Sequence, residues 1–324
     1  MMKNKLKLNI LIYSSEYWPF YQNVKELMNQ KGHNLDCYIF SQEKNSFKYI
    51  REIFKLFLNN FQKYDLIHAY FGTSGLIANF QRKIPVITTY CGSDLLGVSN
   101  NNYEYNYLKS LIFRFSSKLA YKFSIQTTTI SKILEQQLPG NLKNHIIPLG
   151  VDTDHFQPIS QFEARDKLGW AQDEHYILFP AEKNRSIKRF HIAQEIVRKL
   201  KLKANLISLD EKNMYTKLPL FYSAANLLIF VSKHEGSPNV IREALSCNLP
   251  IFSFDVGDVR EQIEGVSHSH CVTIDNKKEI QKLIEKYLTF NKNSRSNGRD
   301  KIINYNWSNY VDNLIRLYEF NVKK

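Results

Sequence analysis

The strongest constraint on this chain's fold is an alternation of short apolar runs with helical segments, played out twice along its 324 residues. Residues 8–13, 35–40, 66–70 and 86–89 are compact runs of strand length, while 23–31 and 50–61 carry apolar side chains at helical spacing. Strands that alternate with helices are joined by crossovers, which gives a parallel sheet covered by helices on both faces. Such sheets bind ligands at the carboxyl ends of their strands. The segment IIPLGVDTDHFQP, residues 146–158, interrupts the pattern with Pro148, Gly150 and Pro158. The alternation then restarts, with strands at 176–179, 205–208, 227–231 and 250–254 and helices at 192–200 and 218–225. We therefore expect two α/β domains joined near residues 150–158, the number that about 150 residues per domain also suggests. The polar piece NKNSRSNGRD, 291–300, reads as an exposed connection before a last helix over 307–320.

Composition narrows the partners. With 43% hydrophobic residues and a mean hydropathy of −0.38, the chain can bury real cores and remain soluble. Its net charge of +13 is uneven: residues 1–150 hold 18 basic and 9 acidic side chains, a balance of +9, and the remainder 26 and 22, a balance of +4. A basic half implies a nucleic acid, a nucleotide or an anionic membrane face, although a background of solvated lysines gives the same count. Nucleic acid is set aside, because the basic residues are dispersed and no reader motif accompanies them. No run approaches the roughly 18 apolar residues that cross a bilayer. The start, MMKNKLKLNILIYSSEYW, superficially resembles a signal peptide. Its apolar part is short, however, and no small-residue cleavage site precedes the aromatics, so a first strand and a cytoplasmic protein are expected. Cys37, Cys91, Cys247 and Cys271 show no CxxC spacing and are expected to be reduced, mostly buried thiols.

The stretch HEGSPNVIREALSCNLPIFSFDVGDVRE, residues 234–261, carries the chemistry. Ser237 suits an N-cap and Pro238 a first helical position, where its missing N–H is not needed. Val240 with Ala244 and Ile241 with Leu245 give the helix an apolar side. Free N–H groups and the positive end of the dipole make such a start an anion site, which Gly236 lets a ligand approach closely. Glu243, about a turn and a half in, suits the vicinal hydroxyls of a ribose, and Glu235 can face the same cleft. An ordinary capped helix with solvated glutamates accounts for the same residues.

The segment resembles the Glu-seven-residues-Glu signature of retaining glycosyltransferases of family 4, through Glu235, Gly236, Pro238, Glu243, Ala244, Leu245, Pro250, Gly257 and Glu261. The resemblance extends to IIPLGVDTDHFQP, LPLFYSAANLLIFVS, TTTISKILEQQL and YNWSNYVDNLIRLYE, and so covers most of the chain from about Asp65 onward. It implies the GT-B fold: two Rossmann-like parallel-sheet domains facing a cleft. Residues 1–150 would be the acceptor domain, 151–305 the nucleotide-sugar donor domain, and 306–324 a closing helix packing back on the first. By the same resemblance, Glu235, Gly236, Ser237, Pro238, Asn239 and Val240 hold the donor sugar and phosphate, and Glu243 the ribose. Lys188, in ILFPAEKNRSIKRF, clamps the diphosphate, with Arg185 or Lys183 assisting. His68 would touch sugar or acceptor, and Gly92 and Asp94 would lie on the acceptor side; a structural histidine and a helix-capping aspartate remain open for these positions.

The chain departs from the family pattern at Glu182, where relatives carry Arg, at SSEYWPFYQN, which replaces a glycine pair, and at Cys91, which replaces a His. Asp152-Thr153-Asp154 spells a metal-binding D-x-D, yet it lies in the interdomain segment, and GT-B enzymes resemble one another in needing no such metal. The expected reaction therefore uses no metal or resident cofactor. It moves a sugar from a UDP- or GDP-linked donor to a saccharide or lipid-linked saccharide, for cell-surface polysaccharide, at the inner face of an anionic membrane. A non-catalytic GT-B subunit and a nucleotide-sugar 2-epimerase are the alternatives.

Overall fold

The computed structural model describes residues 7–40, 47–58, 61–97, 105–140, 143–209 and 214–322. It divides into two compact units: the described residues up to Gly150 together with Trp307–Val322, and those from Val151 to Asn306.

In the first unit, strands β1 (Asn9–Ser14), β2 (Asn34–Ile39), β3 (Leu66–Tyr70), β4 (Val86–Tyr90), β5 (Gln126–Thr129) and β6 (Asn144–Ile146) form one parallel sheet ordered β2-β1-β3-β4-β5-β6. Ile10 pairs with Leu35 on one side and Leu66 on the other, so the apolar runs are aligned in register. Hydropathy does not reveal β5, whose sequence is QTTT. Its threonines are buried nonetheless, because their hydroxyls find partners across the sheet: Thr128 with Thr89, and Thr129 accepting from Asn144 at 3.0 Å.

Helix Trp307–Val322 belongs to this unit. Trp307 stacks on Phe20 at 5.3 Å, the hydroxyls of Tyr310 and Tyr70 meet at 2.8 Å, and Lys31 pairs with Asp312 at 2.9 Å. Gly150 sits where a Cβ would lie 2.7 Å from the Trp307 ring.

Two expectations about this unit are corrected. His68 lies inside β3, fully buried, with one ring nitrogen bonded to the Tyr318 hydroxyl and the other 2.6 Å from Thr89 Oγ1. Burial pushes its pKa down to about 3, so it is a neutral histidine within the core. Asp94 is likewise buried. Its carboxylate accepts from the backbone N–H of Gly92 at 2.9 Å and of Gly72 at 3.1 Å, tying together the turns that follow β4 and β3. Gly92, also buried, takes φ +139° at that tie.

Helix Gly72–Asn79 crosses helix Tyr107–Phe123 through small residues. A Cβ on Gly72 would lie 2.0 Å from Ser117 Oγ and 2.6 Å from its Cα. Overpacking against a backbone atom cannot relax by a rotamer change. Gly72→Ala should therefore destabilise the protein by about 1–3 kcal/mol, seen as a lowered denaturant midpoint; an unchanged midpoint would contradict the close crossing.

In the second unit, β7 (Tyr176–Phe179), β8 (Asn205–Ser208), β9 (Leu227–Phe230), β10 (Ile251–Phe254) and β11 (His270–Val272) form a parallel sheet ordered β11-β10-β9-β7-β8. β7, β9 and β10 are buried throughout, as a sheet covered on both faces requires. Strand order reverses between β7 and β9, so the crevice expected for a ligand lies at their carboxyl ends.

The segment 291–300 is exposed only in part: Lys292, Asn293, Asn297 and Asp300 face solvent, whereas its arginines turn inward. Arg295 donates to the carbonyls of Tyr222, Ala225 and Cys247, and Arg299 to those of Thr153, Phe156 and Ser246. Arg295 thus holds the carbonyl ends of helices Leu218–Ala224 and Asn239–Ser246, and Arg299 that of Asn239–Ser246, where the helix dipole favours a cation. Gly298 lets this segment lie against Leu245, where a Cβ would sit 2.6 Å from a methyl. All four cysteines are free thiols, but only Cys247 is buried; Cys37 is exposed.

Candidate functional site

Three connections meet at the carboxyl ends of β7, β9 and β10: residues 180–188, 231–238 and 255–258. The Lys233 N–H donates to the Ile187 carbonyl at 2.9 Å, joining the first two. Gly257, at φ +57°, brings the third so close that a Cβ would lie 3.0 Å from the carbonyl oxygens of Glu235 and Gly236. Only glycine meets both demands.

Within this frame, Lys188 Nζ donates to Glu235 Oε1 at 2.6 Å, with both side chains mostly shielded from solvent at 13% and 16% exposure. The Lys188 ammonium also lies 5.5 Å above the Phe230 ring. Arg185 is exposed at the rim of the same turn, and Arg189 pairs instead with Asp275.

Helix Asn239–Ser246 starts one residue later than the sequence suggests, with Pro238 in extended conformation as its N-cap and no side chain capping it. Ser237 is the corrected residue. Its hydroxyl donates to Asp258 Oδ2 at 2.6 Å and accepts from Arg242 Nη2 at 2.5 Å, so it is unavailable to the helix start. Among the described residues, the backbone N–H groups of Asn239 and Val240 therefore take no protein acceptor and remain open to an anion. Gly236, half-buried, contributes no side chain of its own before the turn.

Glu243, one turn on, accepts from the Tyr222 hydroxyl at 2.9 Å through Oε2. Burial pushes its pKa up to about 7, and the Tyr222 bond pulls it partly back. The buried pair Arg242 and Asp258, 3.4 Å apart, stands behind the turn, with Gln262 donating to the other Asp258 oxygen at 2.6 Å. Burial lowers the Arg242 pKa and raises that of Asp258, each opposed by the other's charge.

The structure thus brings together Lys188, Glu235, Gly236, Ser237, Pro238, Asn239, Val240 and Glu243 in one unit. Arg242, Asp258 and Tyr222 are supporting residues that sequence reasoning missed. The only signal for them was the acidic side chain next to Gly257, since nothing in spacing shows which polar side chains fold inward. Among the described residues, no three His, Cys, Asp or Glu side chains converge to hold a metal ion. In the D-x-D segment, Asp152 instead accepts from the His155 N–H at 2.9 Å.

Glu243 makes stability pH-dependent. Its folded pKa, about 7, lies above the ordinary value of 4.5, so the native state binds the extra proton between those pH values. Stability from this group is therefore full below about pH 4.5 and declines as pH rises through 7. Glu243→Gln should gain up to about 3 kcal/mol relative to the parent at pH 8, a gain that shrinks as pH falls and vanishes below about pH 4.5 in paired thermal melts.

Residues 187–306 match the family described as glycosyl transferases group 1. TuaC of Bacillus subtilis (strain 168), a candidate teichuronic acid biosynthesis glycosyltransferase, is 24% identical over 220 residues, which are 60% of this chain and 54% of TuaC. The match thus spans about half the length of that relative. Among solved structures, sucrose-phosphate synthase from Thermosynechococcus elongatus superposes with a TM-score of 0.79 at 15% identity, covering 98% of this chain and 99% of its own. Anabaena Alr3699/HepE, solved in complex with UDP, gives 0.72 at 15% identity, covering 96% and 100%. At these identities the likeness concerns the fold, which is GT-B: two parallel-sheet α/β domains. The stretch that matches this family, residues 187–306, spans Lys188 through Glu243 and the supporting pair behind them.

Proposed function

We propose that the protein is a retaining glycosyltransferase of the family 4 type. It moves a sugar from a nucleotide-sugar donor to a saccharide or lipid-linked saccharide in cell-surface polysaccharide biosynthesis. The observation that carries this reading is the uncapped start of helix Asn239–Ser246 beside the Lys188–Glu235 pair, at the strand-order reversal of the second sheet.

The chemistry follows from what those groups offer. Breaking the bond between the anomeric carbon and phosphate leaves a nucleoside diphosphate whose negative charge grows as the bond lengthens. The amides of Asn239 and Val240 and the Lys188 ammonium are fixed donors for that charge, in a setting partly shielded from water. Lys188 is held by one of its three donors on Glu235, which leaves two for phosphate oxygens. Glu235 retains a second oxygen for a donor-sugar hydroxyl. Glu243, oriented by Tyr222, accepts both ribose hydroxyls when ionised. For retention, the acceptor hydroxyl approaches from the face the diphosphate leaves. The first unit would carry the acceptor, and the reaction requires no resident cofactor or metal.

A second reading has one observation in its favour. With His68 and Asp94 buried, the first unit keeps neither of its expected polar groups for an acceptor, which fits a non-catalytic subunit that binds nucleotide only.

Calorimetric titration with UDP and with GDP separates these outcomes, and the UDP in the Anabaena structure makes UDP the first to try. One nucleotide should bind, and Lys188→Ala and Glu243→Ala should each weaken it about tenfold or more, roughly 1.4 kcal/mol. Binding by the parent should strengthen between pH 6 and 8 as Glu243 ionises, a rise that Glu243→Gln abolishes. Failure to bind either nucleotide would overturn the donor site. Binding without any donor hydrolysis sensitive to Glu235→Ala would favour the non-catalytic subunit.

A further inference from the structure

Helix Tyr107–Phe123 of the first unit is built inside out. Its buried positions are the small residues Ser110, Ser117 and Ala120, which face the turn after β4 and helix Gly72–Asn79. Phe113, Leu119 and Tyr121 are half-buried, but four of its large apolar residues point to solvent instead: Leu108 is 68% exposed, Leu111 55%, Ile112 54% and Phe115 63%. Their spacing of three and four residues places them on one stripe of the helix, where the apolar face of a soluble helix is ordinarily the buried one. Single exposed leucines need no explanation, but a contiguous apolar stripe marks a surface that meets something else.

The flanks of the stripe say what that is. Lys109 lies on one side and Arg114 and Lys118 on the other, while Lys122 ends the stripe two turns beyond Phe115; all four are exposed, and none of the helix's 17 residues is acidic. At the C-terminal end, Phe123 continues the apolar surface into a shallow pocket shared with Leu76, Phe80 and Arg82. An apolar stripe bordered by lysine and arginine is the pattern of a helix lying in the plane of a membrane interface, its stripe among acyl chains and its cations among anionic headgroups. A protein partner of ordinary composition would meet the stripe but gives no reason for a purely cationic border. No described helix is long and apolar enough to cross a membrane, so the contact would be peripheral.

We propose that helix Tyr107–Phe123 is the membrane-docking surface of this protein, seating the first unit on an anionic lipid bilayer. Leu108, Leu111, Ile112 and Phe115 enter the interface, and Lys109, Arg114, Lys118 and Lys122 hold lipid phosphates. The inference uses no residue of the donor site and stands apart from that reading.

Flotation with vesicles tests it, comparing phosphatidylcholine alone with phosphatidylcholine containing about a third phosphatidylglycerol. The full chain should float with the anionic vesicles and not with the neutral ones, and rising salt should weaken the binding. Leu111→Glu/Phe115→Glu and Lys118→Glu/Lys122→Glu should each lower the partition coefficient about tenfold or more, with unchanged melting temperatures because all four side chains are exposed. No flotation with anionic vesicles, or flotation indifferent to both double substitutions, would overturn the proposal. A dimer in sedimentation equilibrium that Leu111→Glu/Phe115→Glu splits, without vesicle binding, would overturn it in favour of a second copy.

Discussion

The buried Arg242–Asp258 pair is the interaction on which the site depends. Two charges removed from water are a poor source of net stability unless each finds full hydrogen bonding. Here Ser237, Gln262 and Asn239 complete the set, with Arg242 Nη1 reaching Asn239 Oδ1 at 3.2 Å. The return is geometric. The pair draws the Ser237 hydroxyl away from the helix it precedes and anchors the turn after β10 beneath residues 235–236. What looks in the sequence like a capped helix has no side-chain cap, and among the described residues the amides of Asn239 and Val240 take no protein acceptor.

The sheet supplies the second constraint. Because β7 and β9 lie on either side of the strand-order reversal, their carboxyl ends are the place where a sheet of this kind is expected to take a ligand. Lys188 and Glu235 come from those two turns, 47 residues apart, and the Lys233–Ile187 backbone bond fixes their separation. Behind the crevice, Arg295 and Arg299 bind the carbonyl ends of the two helices that carry Tyr222 and Glu243. Those helices are thus satisfied at their C-termini while the start of Asn239–Ser246 stays open.

Much of this was legible in the sequence, and the misses share one cause. Apolar runs such as those of β1, β3, β7 and β9 announce themselves, because a doubly covered parallel strand must be hydrophobic throughout. Strand β5 did not, since its threonines are buried by pairing hydroxyls rather than by hydropathy. For the same reason NKNSRSNGRD looked exposed although its arginines clamp carbonyls, and Ser237 looked like a cap although its hydroxyl serves a charge pair. His68 and Asp94 looked like site residues because polarity in a sequence does not reveal whether a partner lies across the fold. The motif around Glu235 and Glu243 was readable because its spacing along one turn and one helix is local.

The central claim is that the open start of helix Asn239–Ser246, with Lys188, grips the diphosphate of a nucleotide. A crystal structure of the protein with bound nucleoside diphosphate tests this most directly. Phosphate oxygens should lie within hydrogen-bond reach of the Asn239 and Val240 amides and of Lys188 Nζ, with the ribose hydroxyls on Glu243. A nucleotide bound elsewhere, with those amides capped by protein or water and Lys188 still turned only to Glu235, would contradict it.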